Sequence, residues 1–180
     1  WSSDVCSSDL FATVEELPPT LDSIGNWSLP EDAGRLTIGL TGITTGSNSN
    51  SPLRVTATSS NTNLMADPTV TYVSAESTGT IKLQSLKDQH GKSTITVTVE
   101  DGGLDGKLNT SVDNASSSRT FDVTVTPVND KPIAQPVTLR PAENSPIEKD
   151  KAHGLAALSS DVDNDPLTFS LASPPDHGQL

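Results

Sequence analysis

The sequence predicts an all-β fold of antiparallel β-sandwiches in tandem, the second of them truncated. Three observations lead to this prediction. Short runs of residues alternate between apolar and polar, as half-buried antiparallel strands do. No segment keeps a helical period over several turns. Glycine, asparagine, aspartate and serine fill the stretches between the runs, and these residue types favour turns and loops.

The part of the chain before Val128 is predicted to form one complete sandwich. Its clearest strand is 94–99, where Ile95, Val97 and Val99 alternate with β-branched threonines that can face water. Trp27 is expected to anchor the core from the first strand. About a hundred residues with seven short strands are typical of a β-sandwich. The seven runs are 21–29, 35–40, 53–58, 69–73, 79–84, 94–99 and 119–126.

The part of the chain after Pro132 is predicted to begin a second sandwich. The spacing from Pro19 to Glu31 is nearly the same as the spacing from Pro132 to Glu143. This similarity indicates an internal repeat about as long as a domain. Fewer than about fifty residues cannot close two sheets around a core, so this repeat is expected to be incomplete. Its predicted strands are 133–139, 145–148, 154–158 and 166–171.

The predicted domain organisation therefore has four parts. Residues 1–13 are expected to be a disordered or artefactual leader, because the run WSSDVCSSDL resembles a translated sequencing adapter. Residues 14–127 form the complete sandwich, 128–132 a proline-bounded linker, and 133–180 the N-terminal part of the second repeat. Cys6 is the only cysteine, so no disulfide can form within the chain.

Charge and composition argue against several function classes. The chain has 23 Asp and Glu residues against 11 Lys and Arg residues, a net charge of -12, so a phosphate backbone would be repelled. No apolar stretch approaches the length of a membrane span. Aromatic residues make up 3% of the chain, which argues against the stacking platforms of many carbohydrate sites. The acidic excess fits either bound cations or simple solubility.

Two acidic segments are the candidate binding residues. Asn129 and Asp130 lie in the linker, and Asp161, Asp163 and Asp165 follow at alternate positions. Carboxylates this close together need a cation or full solvation, and calcium prefers oxygen ligands. An EF-hand is disfavoured, since the required glycine is replaced by a proline and the twelfth loop position is an alanine. The alternative interpretation of these segments is a solvated acidic turn that binds no ion.

Nothing in the sequence predicts catalysis. His90, His153 and His177 are scattered, without a His or Cys partner at metal-ligand spacing. No strand-turn-helix motif places a serine nucleophile beside a base. The chain is therefore expected not to be an enzyme.

With its linker, the second repeat resembles bacterial cadherin-like tandem repeats of large secreted or surface proteins. The resemblance rests on the segments VNDKP (128–132), DVDNDPLTFS (161–170) and DHGQL (176–180). The first sandwich is similar to related immunoglobulin-like sandwiches through LPEDAG (29–34) and VEDGG (99–103). The family implies tandem sandwiches with calcium at the junctions between them.

The resemblance also implies a set of calcium ligands. Glu31 would reach the junction from the first sandwich, Asn129 and Asp130 would supply linker oxygens, and the second repeat would add its aspartates. Asp88 stands where cadherins carry a fuller acidic motif, so the ligand set is short and the expected affinity is weak, on the order of 10⁻⁴ to 10⁻³ M. The implied ligands are Glu31, Asn129, Asp130, Asp161, Asp163 and Asp165, with weaker roles for Asp88 and, at an upstream junction, Asp101.

The expected function is a calcium-rigidified structural or adhesive segment of a large extracellular bacterial surface protein. Its expected partners are neighbouring repeats of the same chain and a cell-surface protein or polysaccharide, with no nucleic acid and no membrane insertion. The alternative is a non-catalytic ancillary module of a secreted multidomain hydrolase, in contact with carbohydrate.

Overall fold

The computed structural model describes residues 17–46, 50–110, 113–138, 140, 154–170 and 172–173. The chain divides into two compact units, unit 1 (Trp1–Pro127) and unit 2 (Val128–Leu180), and each is considered by itself. The leader expected at 1–13, the strand expected at 145–148 and the motif at 176–180 lie outside the described residues, as do Glu143, His153 and His177.

Unit 1 is built from two β-sheets, which confirms the all-β prediction. A four-stranded sheet has the order β1-β7-β6-β3, and a three-stranded sheet has the order β2-β5-β4. The strands are β1 (Trp27–Pro30), β2 (Leu36–Leu40), β3 (Leu53–Ser59), β4 (Thr69–Thr71), β5 (Gly79–Leu83), β6 (Gly91–Asp101) and β7 (Ser116–Thr126). Each overlaps one of the seven predicted runs.

The core lies between the two sheets because apolar residues alternate along their strands. On β6, Ile95, Val97 and Val99 are fully buried, while the threonines between them are half-buried on the opposite face. On β7, Phe121, Val123 and Val125 are buried in the same way, and the polar residues between them lie on the opposite face. The second sheet contributes the buried residues Ile38, Leu40, Ile81 and Leu83.

The first strand differs from its prediction. The run 21–29 does not form one strand, since the structure assigns only Trp27–Pro30 to β1, and Asp22 instead donates its N–H to the Thr41 carbonyl at 3.0 Å. β1 pairs with β7 in parallel, whereas the other strand pairs are antiparallel over the described residues. Parallel strands need a long connection, and here the first and last strands of the unit meet.

The prediction that Trp27 anchors the core is wrong. Its side chain is 41% exposed, while Leu29, two residues later on the same face of β1, is buried. β1 is the edge strand of its sheet, so its side chains have a neighbouring strand on one side only. The alternating pattern identified the strand, but an edge position cannot be read from the pattern alone.

Unit 2 has little regular structure among its described residues. A two-stranded sheet joins β8 (Ile133–Ala134) to β9 (Ser159–Ser160). The strand predicted at 133–139 is short, because Pro136 cannot donate to a ladder. The strand predicted at 154–158 is wrong: Leu155–Leu158 forms a 3₁₀ turn. No strand occurs at 166–170 of the run predicted at 166–171.

The described part of unit 2 also lacks a buried core. None of its described residues is buried, and large apolar side chains such as Ile133, Val162 and Phe169 are at least half exposed. Among the described residues of the whole chain, no helix is long and apolar enough to cross a membrane.

The alternation on β6 gives a testable prediction. Ile95→Ala is expected to lower the free energy of unfolding by about 2–5 kcal/mol, because it opens a cavity at a fully buried position. Thr96→Ala, on the opposite face of the same strand, is the matched control, with an expected loss below about 1 kcal/mol. Urea unfolding of both variants tests this prediction, and equal losses would contradict the assignment of faces.

Candidate functional site

Two of the sequence-predicted ligands lie at one end of unit 1. Glu31 follows β1 and is 4% exposed, and its backbone N–H donates to the Thr126 carbonyl at 2.8 Å. His90 precedes β6, with its Nδ1 3.7 Å from the Glu31 carboxylate. Asp88 lies in the turn before β6, and its N–H donates to the Asp32 carboxylate at 3.1 Å. The structure therefore brings Glu31 and Asp88 to the same end of the sandwich.

Asp32 belongs to this end of unit 1 and was missed by the sequence interpretation. It follows Glu31 directly, so the acidic pair itself was a visible signal. Its carboxylate holds the turn that carries Asp88. The Asp88 carboxylate in turn contacts the Lys87 ammonium, which is 2.8 Å from both carboxylate oxygens. A cation from solution would compete with Lys87 for those oxygens.

The acidic turn of unit 2 is held by its own backbone. One oxygen of Asp161 accepts hydrogen bonds from the N–H groups of Asp163, at 2.9 Å, and Asp165, at 3.3 Å. Asn164 donates its N–H to the Asp161 carbonyl and has a positive φ of 59°, which asparagine tolerates. We call residues 161–165 the acidic turn. These hydrogen bonds place the three aspartates on one tight turn of the backbone.

The linker meets this acidic turn within unit 2. The Asp130 N–H donates to the Asp163 carboxylate over a short distance of 2.6 Å. Asn129 donates from its side-chain amide to the Asp130 carbonyl at 2.9 Å, which leaves the amide oxygen as its ligand atom. The structure thus brings together Asp130 and Asp163, which are separated by more than thirty residues of sequence.

The acidic turn has oxygens to offer but is not a closed cage. A carboxylate has about four acceptor sites, and the backbone bonds described above use only some of them. Among the described residues of unit 2, no three carboxylates bring their oxygens within 4.8 Å of one another. A bound calcium ion would have to draw the turn and the linker closer and recruit carbonyls or water to reach six to eight oxygens.

Asp101 has a different environment. It ends β6, so the length of that strand, about 33 Å at 3.3 Å per residue, separates it from the Asp88 end. It is 1% exposed, and one carboxylate oxygen accepts from the N–H groups of Gly103, at 3.1 Å, and Ala115, at 3.0 Å. These bonds account for its burial without a metal ion.

Several carboxylates of unit 1 are neutralised by neighbouring cations. The Arg54 guanidinium donates to Glu100, from its Nε at 3.1 Å, and Asn114 donates to the other Glu100 oxygen. These two hydrogen bonds, that of Arg54 first, hold the pKa of Glu100 below its ordinary value. Lys92, and then Thr94, lower the pKa of Asp122 in the same way.

Comparison with known proteins gives a weak structural likeness. No protein-family model matches the chain, and no curated protein sequence matches it. Among solved structures, the chain is similar to domains 4 and 5 of the S-layer protein SbsC, with a TM-score of 0.38 and 16% sequence identity. The likeness covers 60% of this chain and 46% of that chain, so this chain spans less than half of the S-layer structure. The cadherin-like resemblance therefore stays a hypothesis.

Replacement of Asp101 tests whether it is structural. Asp101→Ala is expected to lower the free energy of unfolding of unit 1 by about 1–3 kcal/mol in the absence of calcium, since the buried N–H of Gly103 and the part-buried N–H of Ala115 lose their acceptor. Asp101→Asn keeps an acceptor oxygen and is expected to lose less. Chemical unfolding in EDTA measures both variants. Full stability of Asp101→Ala in EDTA would show that the side chain has no structural role.

The Arg54–Glu100 pair gives a pH prediction. Because the pKa of Glu100 is lowered in the folded state, the pair stabilises the fold at pH values above the unfolded pKa of 4.5, and this stabilisation is lost as the pH falls through the folded pKa. Arg54→Gln is expected to lower the free energy of unfolding by about 0.5 kcal/mol at pH 7 and by less at pH 3, after allowance for solvent screening. Lys107→Gln is the control cation. If the difference in free energy of unfolding between Arg54→Gln and the unmodified chain is the same at pH 7 and at pH 3, the prediction is contradicted.

Proposed function

We propose that this chain is an extracellular structural or adhesive segment in which calcium, bound at the acidic turn and the linker, stiffens the start of the second unit. The observation that supports it is the 2.6 Å hydrogen bond from the Asp130 N–H to the Asp163 carboxylate. That bond joins the linker to the acidic turn, so an ion bound there would contact both. The proposal includes no catalytic activity.

The charge of the acidic turn supports a cation ligand. Asp161, Asp163 and Asp165 form no ion pair with a Lys or Arg side chain in the part of the chain that the structure describes. Their mutual repulsion must then be balanced by solvent or by an ion. Calcium suits this position because it accepts carboxylates, amide carbonyls and water in a flexible arrangement.

The mechanical consequence follows from the position of the linker. With calcium, Asn129 and Asp130 would be held against the acidic turn, and the linker would lose its freedom to swing. Without calcium, the hydrogen bond from the Asp130 N–H to the Asp163 carboxylate still connects the two segments, but it does not neutralise the charge of the aspartates. Extracellular fluid contains calcium at concentrations suited to a weak site, so the proposal places the chain in a secreted or cell-surface protein, with neighbouring repeats as its first partners and a surface protein or polysaccharide as a further one.

A second candidate function is supported by Trp27. An exposed aromatic side chain on a sheet is the feature expected of a carbohydrate-contacting ancillary module, and Trp27 is 41% exposed at the edge of β1. It is a single indole rather than a row of aromatic side chains, so the calcium-stiffened segment is the better supported of the two.

Calcium titration of the full chain tests the first proposal. Calorimetry should give a dissociation constant on the order of 10⁻⁴ to 10⁻³ M, with changes at the amides of Asp130 and Asp163 by NMR. At about 10 mM calcium, binding of that strength stabilises the loaded form by about 1.4–2.7 kcal/mol. Small-angle scattering should show a more extended chain when calcium is bound.

Asp161→Asn with Asp163→Asn is the decisive variant, because each amide keeps an acceptor oxygen for the turn while the charge is lost. Asp105→Asn with Asp113→Asn is the matched control, since these two aspartates also accept backbone N–H groups, in a loop of unit 1. Calcium binding should be lost in the first pair and kept in the second. Glu31→Gln tests separately whether unit 1 supplies a ligand. Absence of binding at 10 mM calcium, or equal loss in both pairs, would overturn the proposal.

A further inference from the structure

A shallow pocket of about 170 Å³ lies on the outer face of the three-stranded sheet of unit 1. Its polar lining consists of exposed side chains that point away from the core: Arg35, Asp67, Thr69, Lys82 and Gln84. None of these residues belongs to the acidic turn or to the carboxylates near Glu31. The pocket is therefore a separate feature of the molecule.

Strand register explains why these side chains meet. Lys82 on β5 lies directly opposite Thr69 on β4, so both project from the same face. Leu36 pairs with Leu83, which places Arg35 beside Gln84 at the end of the same sheet, and the Arg35 Nε donates to the Gln84 side-chain oxygen at 3.3 Å. Arg35 and Lys82 are thus near neighbours on one polar surface.

Two cations of this pocket, Arg35 and Lys82, have no described carboxylate within 4.0 Å, although the Asp67 carboxylate lines the same pocket. Within the described part of unit 1, Arg54, Lys87, Lys92 and Lys107 each lie within 4.0 Å of a carboxylate. Arg35 and Lys82 form no such ion pair, although the chain carries a net charge of -12. Arg35 and Lys82 are diagonal neighbours, since Gln84 lies beside Arg35 and Thr69 lies opposite Lys82. Solvent screens part of their repulsion, and an anion between them would be attracted by both charges.

The remaining polar groups indicate what else the ligand carries. The Asp67 carboxylate accepts the Ser59 N–H at 2.8 Å through one oxygen, and its second oxygen can accept from a hydroxyl group. The Thr69 hydroxyl and the Gln84 amide offer both donors and acceptors. A ligand with one anionic group and several hydroxyls would use both kinds of groups.

We propose that this pocket binds one anionic sugar unit of an acidic polysaccharide, with Arg35 and Lys82 on its carboxylate or sulfate and Asp67, Thr69 and Gln84 on its hydroxyls. The volume of 170 Å³ is below the roughly 300–1,000 Å³ of drug-sized sites, so the pocket accommodates a single ring rather than an oligosaccharide. Charge-assisted hydrogen bonds supply the affinity that a stacking aromatic supplies in other sugar sites. The inference does not depend on calcium binding.

Titration of the full chain with trigalacturonate tests the proposal, with its neutral methyl ester as the uncharged probe and a sulfated galactose trisaccharide as the second anionic probe. Each titration is carried out in EDTA, so that calcium cannot bridge the sugar to the acidic residues, and is then repeated with calcium in place of EDTA. Amide shifts should be confined to the pocket around Arg35, Thr69 and Lys82. Binding should weaken between about 50 mM and 500 mM salt, since both cations are exposed.

The variant pair Arg35→Gln with Lys82→Gln is expected to weaken binding by about tenfold or more, through the loss of the charge-assisted hydrogen bonds. Lys92→Gln with Lys107→Gln removes the same charge elsewhere in unit 1 and should bind like the unmodified chain. Preference between the two anionic probes identifies carboxylate or sulfate as the recognised group. Equal binding of the neutral ester, amide shifts outside the pocket, or binding only when calcium is present would each overturn the proposal. The last outcome would leave the calcium proposal standing.

Discussion

Unit 1 depends on the pairing of β6 with β7 and on the apolar face that this pair presents to the opposite sheet. Ten residue pairs join the two strands, from Gly91 and Val125 to Glu100 and Ser116. Over the central part of this pairing, every second residue is buried, including Ile95, Val97 and Val123, which have no exposure. Burial of this kind fixes the register, since a slip by one residue would turn the whole apolar set towards water.

The same pair of strands determines where function can be located. Its inner face is occupied by the core, so binding groups are confined to the outer faces and to the loops at the two ends. At one end of β6, the buried Asp101 closes its loop through backbone N–H groups. At the other end lie Asp88 and Glu31, close to where β7 leaves the unit. The ends of the sandwich differ in chemistry because their carboxylates have different partners.

The sequence predicted the strands well wherever one face is buried and the alternation is strict, as at 94–99 and 119–126. It was less successful where burial is not decided by the local pattern. Trp27 is apolar but lies on an edge strand, and residues 155–158 are apolar but form a 3₁₀ turn in a unit whose described residues include no buried core. The pocket was not predicted at all. Arg35, Asp67 and Lys82 come from three separate strand regions, and only the register of β2, β4 and β5 brings them together.

Charge compensation connects the two proposals. Most cations of unit 1 are matched within the chain, as Arg54 is by Glu100 and Lys92 by Asp122, and these pairs need nothing from solution. The acidic turn and the pocket at Arg35 and Lys82 depart from this pattern in opposite senses. The aspartates of the acidic turn are held by backbone N–H groups, which satisfy hydrogen bonds but leave the negative charge. Arg35 and Lys82 leave positive charge on an otherwise acidic protein.

Compensation at each place must come from solvent ions or from a specific ligand, and a specific ligand is favoured where fixed acceptors or donors already surround the charge. We therefore propose a cation at the first place, where carboxylate oxygens are free to bind it, and an oxyanion at the second, where two cationic donors meet.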